Sequence, residues 1–289
     1  MSVTVKSGGG ENVKPEVSAQ KDIITQLREA VAGKGLGGNY DLGYADGYEE
    51  GQKNSEFFER YMARSFTEFE SDTAYPVPTY MFAENAELES VSMPNIEVVN
   101  GKAFMDCPKL ASVHLPKVKK LLGDDCFRRD TSLTSFPYFE QLEEITGYCF
   151  DECPIEQKVW DFKNLTKVSA QYAFYNAAAE VIILRKAING GMDRIFHTMP
   201  NVETIDLHDA FTIGRYAFQD CPNLEAVILR DTVNVFALKN VDVLTSNINY
   251  YAYVPASMLE TYKAYTNWSS YPERIRAIED YPEITGGVY

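Results

Sequence analysis

The residue types that usually carry chemistry are few in this sequence and badly placed for it. There are three histidines, His114, His197 and His208, and five cysteines in 289 residues. No His-Glu-x-x-His, Gly-x-Ser-x-Gly or Walker sequence occurs, so the usual frames for a zinc-bound water, an activated serine or a cradled phosphate are missing. The cysteine spacings fit no metal site. Cys107, Cys153 and Cys221 each lie three residues after a phenylalanine, and Cys126 and Cys149 each lie one before. Repetition in register marks them as small buried residues. Gly33-Lys-Gly35-Leu-Gly-Gly38 has the letters of a dinucleotide-binding loop, but such a loop needs a strand before it and a helix opening at its third glycine. A polar helical pattern precedes it and no βαβ unit follows, so it reads as a hinge. Paired carboxylates are plentiful because 42 Asp and Glu stand against 27 Lys and Arg. No catalytic residue, cofactor or metal is expected.

What would position any site is a repeat. Phenylalanine recurs at Phe82, Phe104, Phe127, Phe150, Phe174, Phe196 and Phe218, in steps of 22, 23, 23, 24, 22 and 22 residues. Such a fixed period marks a solenoid, whose units bury their apolar faces only by stacking. Six residues after the anchor stand Leu88, Leu110, Leu133, Val202 and Leu224. Nine after it stand Val91, Val113, Phe136, Val159, Ile183, Ile205 and Val227; eleven after it stand Met93, Leu115, Leu207 and Leu229. The last two columns alternate with polar positions, the period of a short strand with one buried face. Val99, Leu122, Ile145 and Ile213, each five before an anchor, form a second apolar ledge.

The pattern Leu-x-x-Val-x-Leu-Pro…Ile-Gly-x-x-Ala-Phe-x-x-Cys, clearest at 96–116 and 213–229 and degraded at 155–195, resembles the BspA-type leucine-rich repeats. The resemblance covers half to two-thirds of the chain. It implies a repeat solenoid of α/β leucine-rich type with short parallel strands, and a scaffold rather than a reaction. The family occurs in bacterial and protist surface proteins and in phage and prophage genes.

Four regions follow. Residues 1–38 form a Gly-rich leader and an amphipathic helix whose Ile23, Ile24, Leu27 and Val31 make one stripe. This stripe has no evident partner in its own chain, so it is the candidate oligomerisation or anchoring element. Residues 39–79 hold an acidic Tyr/Gly segment, similar to segments ahead of such repeats in Gram-positive prophage proteins. A helix around Phe57, Phe58, Tyr61 and Met62 follows and is expected to cap the first coil. The repeats span 80–230. Residues 231–289 form a cap with a strand at 250–254 and a helix from Pro255, in which Tyr262, Tyr265 and Trp268 are expected as core.

Net charge of −15 argues against nucleic acid, which wants a basic stripe, and favours solubility at high copy number. No apolar run reaches membrane-spanning length, and no h-region marks a Sec signal peptide. If the repeat register holds through 155–195, Lys158, Trp160, Ile182, Leu184 and Asp206 project from the strand face, with His114 on the same face further back. Trp160, Ile182 and Leu184 would then form an apolar patch with a polar rim. If these coils have slipped, the same residues turn inward. The expected function is a non-enzymatic interaction module, virion-associated in a phage or prophage and outside the Sec route, that binds a protein or glycan ligand. It is expected to form a homo-oligomer or to dock through its N-terminus. A cell-surface adhesin, or an enzyme with a site in the caps, are the alternatives.

Overall fold

The computed structural model describes residues 3–6, 12–13, 66–72, 74–168, 171–189, 193–245, 247 and 249–285. The stripe of Ile23, Ile24, Leu27 and Val31, the Tyr/Gly segment and the helix expected around Phe57 lie outside these residues. The chain divides into two compact units, 1–135 with 152–154 and 136–151 with 155–289. Each is a run of parallel β-solenoid with few helices.

In the first unit the strands are β1 (Val3–Lys6), β2 (Asn12–Val13), β3 (Glu68–Ser71), β4 (Ser90–Ser92), β5 (Val98–Asn100), β6 (Ser112–His114) and β7 (Lys120–Leu122). β3, β4 and β6 pair in parallel with Phe69, Val91 and Val113 in one column. β5 and β7 pair likewise on the second ledge, with Val99 opposite Leu121. That register corrects one expectation: Leu121 is buried and Leu122 half-exposed, because the turn Gly123-Asp-Asp lengthens this coil by one residue. The free edge of β3 is covered by β1, running antiparallel, and β2 pairs antiparallel with β1.

The corner of each coil is its phenylalanine. The Phe82 N–H donates to the Ala103 carbonyl at 2.7 Å and the Phe104 N–H to that of Cys126 at 2.9 Å, so the corner is hydrogen-bonded from coil to coil. The rings stack: Phe82 on Phe104 and Phe104 on Phe127, each at 5.0 Å. Two residues before and two after every anchor from Phe82 to Phe218, a non-glycine residue takes a left-handed backbone, with φ between +52° and +64°. Each such residue costs about 1 kcal/mol or more. Just ahead of the corner, Gly101 and Gly123 of adjacent coils lie back to back. A Cβ on Gly123 would come within 2.8 Å of the Gly101 Cα.

The cysteine column has a definite task. Cys107 Sγ donates to the Phe82 carbonyl at 3.0 Å, and Cys153 Sγ donates to that of Phe127 at 2.7 Å. In the same slot one coil earlier, Asn85 Nδ2 donates to the Phe66 carbonyl. The slot therefore wants a donor. Asp130 occupies it in the coil of Phe127, fully buried, with Oδ1 accepting the Cys107 N–H at 2.9 Å and no partner at Oδ2.

The second unit contains β8 (Glu144–Ile145), β9 (Val159–Phe162), β10 (Lys167–Val168), β11 (Val181–Leu184), β12 (Thr204–Leu207), β13 (Ala226–Leu229), β14 (Tyr251–Val254) and β15 (Ile275–Ala277). β9, β11, β12, β13, β14 and β15 form one parallel sheet in that order. Phe174, Phe196 and Phe218 stack at 5.4 and 5.8 Å. Phe150, expected in the same buried ladder, is buried and packs edge-on against Phe136, Phe139 and Trp160.

The described helices are short: α1 (Asp242–Thr245), α2 (Leu259–Ala264) and α3 (Pro282–Thr285). Tyr262 and Trp268 are cap core, as expected; the Tyr262 hydroxyl accepts the Phe236 N–H and Trp268 Nε1 donates to the Phe236 carbonyl at 2.7 Å. Tyr265 is exposed instead, beyond the last turn of α2. Arg274 ties the cap down with hydrogen bonds to the carbonyls of Leu244, Asn247 and Tyr250.

Two predictions follow from this packing. Phe104→Ala removes a ring stacked on both sides and should cost about 3–5 kcal/mol of stability by denaturant titration. The second concerns Asp130. Burial pushes its carboxyl well above the ordinary carboxylate range; the Cys107 N–H opposes this and Asp106 adds to it. A group that holds its proton more tightly when folded contributes stability that is complete below its unfolded pKa, about 3.9. That stability is lost as pH rises through the folded value. Asp130→Asn supplies a permanent donor, as Asn85 does, and should be more stable than wild type at pH 7, with the advantage shrinking toward pH 4. Equal denaturation midpoints at both pH values would contradict it.

Candidate interaction face

Strand pairing decides which side chains of the second unit face out. Trp160, Ile182, Ile205 and Val227 share one column, and Phe162, Leu184, Leu207 and Leu229 another; all are buried. The expected patch of Trp160, Ile182 and Leu184 is therefore core. Trp160 is 0% exposed, stacks on Phe139 at 4.3 Å, and donates from Nε1 to the Gln157 carbonyl. The physical reason is a paired slip. The coil of Phe150 holds one extra residue before its strand, so its inward phase starts ten residues after the anchor instead of nine. The coil of Phe174 is one short and starts at eight. A one-residue shift sends every side chain of a strand to the opposite face.

What faces out is thus the complementary set: Val159 and Asp161, Val181 and Ile183, Thr204 and Asp206, Ala226 and Ile228, Tyr251 and Tyr253. The face has two halves. On β13 and β14, Ala226, Ile228 and Tyr253 are buried although they point away from the solenoid core, because Ile278 packs over them with Tyr251 and Tyr281 alongside. On β9, β11 and β12 the cover ends. Val159 is 50% exposed, and Val181, Ile183 and Thr204 are half-buried.

Ion pairs bound this open half. Arg185 donates through Nε and Nη2 to the two carboxylate oxygens of Asp161, both at 2.8 Å. Arg230 binds Asp206 the same way, at 2.8 to 3.0 Å. Asp206, expected on an exposed rim, is instead buried beneath that guanidinium. His208 Nε2 lies 3.6 Å from Asp206 Oδ1. Burial holds this imidazole below its usual range, with Asp206 opposing and Arg185 and Arg230 reinforcing. Lys158 is exposed and pairs with Glu180 at 2.6 Å. His114 is exposed on β6 of the first unit, where the outward positions beside it are Ser90, Ser92 and Ser112.

The five cysteines are buried, and burial pushes the Cys221 thiol up to about 12. Among the described residues no group of three or more His, Cys, Asp or Glu could hold a metal ion, and no helix is long and apolar enough to cross a membrane. Val159 and Ile183 were visible in the sequence only as core positions nine after their anchors. The irregular steps of 24 and then 22 residues were the signal that the phase had shifted.

The family model described as BspA type leucine rich repeat region matches residues 54–177 and 161–253, in six copies. No curated protein matches this sequence.

If Trp160 is core, Trp160→Ala should lose about 3–5 kcal/mol of stability. Ile183→Thr, on the outer face, should lose less than about 1 kcal/mol. Comparable losses for the two variants in thermal unfolding would put the register wrong.

Proposed function

Because the chain belongs to the BspA-type leucine-rich repeat family, we propose that it is a non-enzymatic interaction module whose outer strand face receives a protein partner. The observation that carries this reading is the open half of that face. Val159, Val181 and Ile183 sit together outside the core, bounded by the Asp161 and Arg185 pair and by Lys158 with Glu180. An apolar centre within a satisfied polar rim is the anatomy of a protein contact. Its aliphatic side chains offer no aromatic face for a sugar ring, which favours a protein over a glycan. The solenoid supports the role physically, since its stacked strands hold the face rigid and little ordering entropy is lost on binding.

The setting belongs to the same proposal: the protein is displayed on a phage or prophage particle, with the stripe of Ile23, Ile24, Leu27 and Val31 as docking or oligomerising element. The likeness of the Tyr/Gly segment to prophage sequences supports it, as does a net charge of −15, which keeps crowded copies apart.

The test uses a photo-crosslinking amino acid at position 159, with one at Val233, also exposed, as control. Irradiation in an induced-phage lysate should give a discrete product from position 159 and none from 233, and antibody should detect the chain in purified particles. Identical labelling from both positions contradicts the face, and particles lacking the chain contradict the setting.

A further inference from the structure

A second surface of the same unit has a different chemistry. It lies on the corner, at the left-handed position two residues before each anchor, filled in successive coils by Tyr148, Tyr172, Arg194 and Tyr216. Left-handed backbone suits glycine or asparagine and is costly for bulky side chains, yet three of these four positions carry tyrosine. Coil stacking brings the side chains into register. Tyr148 stacks on Tyr172 at 5.1 Å. The Arg194 guanidinium lies over the Tyr172 ring at 5.8 Å and over the Tyr216 ring at 5.2 Å, so it sits between two phenols. All four are partly open to solvent.

Arg194 stands apart from most of the arginines described. Arg128, Arg129, Arg185 and Arg230 each hold a carboxylate. Arg274 is taken up by carbonyls, and Arg276 lies against the rings of Tyr251 and Tyr281. Among the described residues, the one hydrogen bond from the Arg194 side chain is a long one from Nη1 to Gln171 Oε1, at 3.4 Å. The next coil adds Arg215, which is exposed; no side-chain ion pair to it is formed among the described residues, although its charge helps hold the Asp193 carboxyl below the ordinary range. The acids nearby are engaged: Asp193 accepts from Lys239 at 3.0 Å and from the Arg215 N–H at 2.9 Å, and Asp220 faces His197 at 3.6 Å. In a chain with an excess of acid, Arg194 without a carboxylate is an unmet pairing, and Arg215 adds positive charge beside it.

We propose that the ridge formed by Tyr172, Arg194, Tyr216 and Arg215 is a second contact surface, reading carboxylates on an acidic segment of a protein partner. The rings on either side occupy the flat faces of the Arg194 guanidinium and hold it in place, leaving its N–H edge for the forked hydrogen bonds that carboxylates accept. Tyrosine and arginine are also the residues that concentrate binding energy in protein interfaces. A sugar is disfavoured, because the ring faces it would stack on are taken by neighbouring side chains. The ridge does not depend on the outer strand face.

The test measures anisotropy of fluorescein-labelled hexaglutamate, with hexaglutamine as control, against the full chain at low salt, where screening is weak. Hexaglutamate should bind the more tightly despite the overall negative charge. Arg194→Gln and Arg215→Gln should each weaken it about tenfold, the scale of one lost charge-assisted pair, with unchanged thermal midpoints. Val159→Asp should leave it unaltered, which separates this surface from the strand face. Equal binding of the two peptides, or undiminished binding by the double variant, overturns the proposal. Binding of sulfated dextran without hexaglutamate overturns it in favour of a polyanionic glycan.

Discussion

Everything in this protein depends on each coil returning the chain to the same point one strand spacing, about 4.8 Å, further along. The phenylalanine corner enforces that return. At Phe104 the backbone N–H is bonded to the next coil, the ring is stacked on both neighbours, and the residues two before and two after are bent into left-handed conformation. Two such residues cost about 2 kcal/mol or more per coil. Burying a phenylalanine returns about 1.5–3 kcal/mol, and the coil-to-coil hydrogen bonds add to that. The corner is thus favourable only inside a stack. The same accounting explains the donors three residues after the corner: Asn85, Cys107, Cys153 and Cys221 each bond a phenylalanine carbonyl one coil back that would otherwise be buried unpaired, and Asp130 is the exception.

A rigid interior leaves variation to the surfaces, and two mechanisms set what they display. The first is phase. One residue gained before β9 and one lost before β11 exchange the inner and outer faces of two strands, so bulky Trp160 and Phe162 become core and smaller Val159 and Ile183 become surface. The second is cover. The segment around Ile278 lies across Ala226, Ile228 and Tyr253 and closes one half of the outer face, leaving β9, β11 and β12 open. The proposed contact surface is what the slip exposes and the cap does not reach.

Charge is organised by the same period. Lys109 with Glu87, Lys119 with Glu97, Lys158 with Glu180 and Lys163 with Glu140 all pair neighbouring coils. Individually such exposed pairs contribute little, but in a chain of net charge −15 they keep like charges from stacking in columns. Against that background Arg194, which holds no carboxylate among the described residues, stands out.

The period, the buried anchors and the parallel strands could be read from the sequence, because a solenoid writes its core as a column of like residues at fixed spacing. Phe104, Leu110 and Val113 have one place to go, and composition and spacing suffice to say so. The cap was legible for the same reason in Tyr262 and Trp268. The face of the strands between Val159 and Leu184 was not. Val159, Trp160, Ile182 and Ile183 are all apolar, so alternation there carries no signal, and only the hydrogen-bonded pairing of β9 with β11 decides which set points inward. The ridge was equally hidden. Tyr172, Arg194 and Tyr216 are 22 residues apart in sequence, and it takes the stacking of coils to bring two phenols onto opposite sides of one guanidinium.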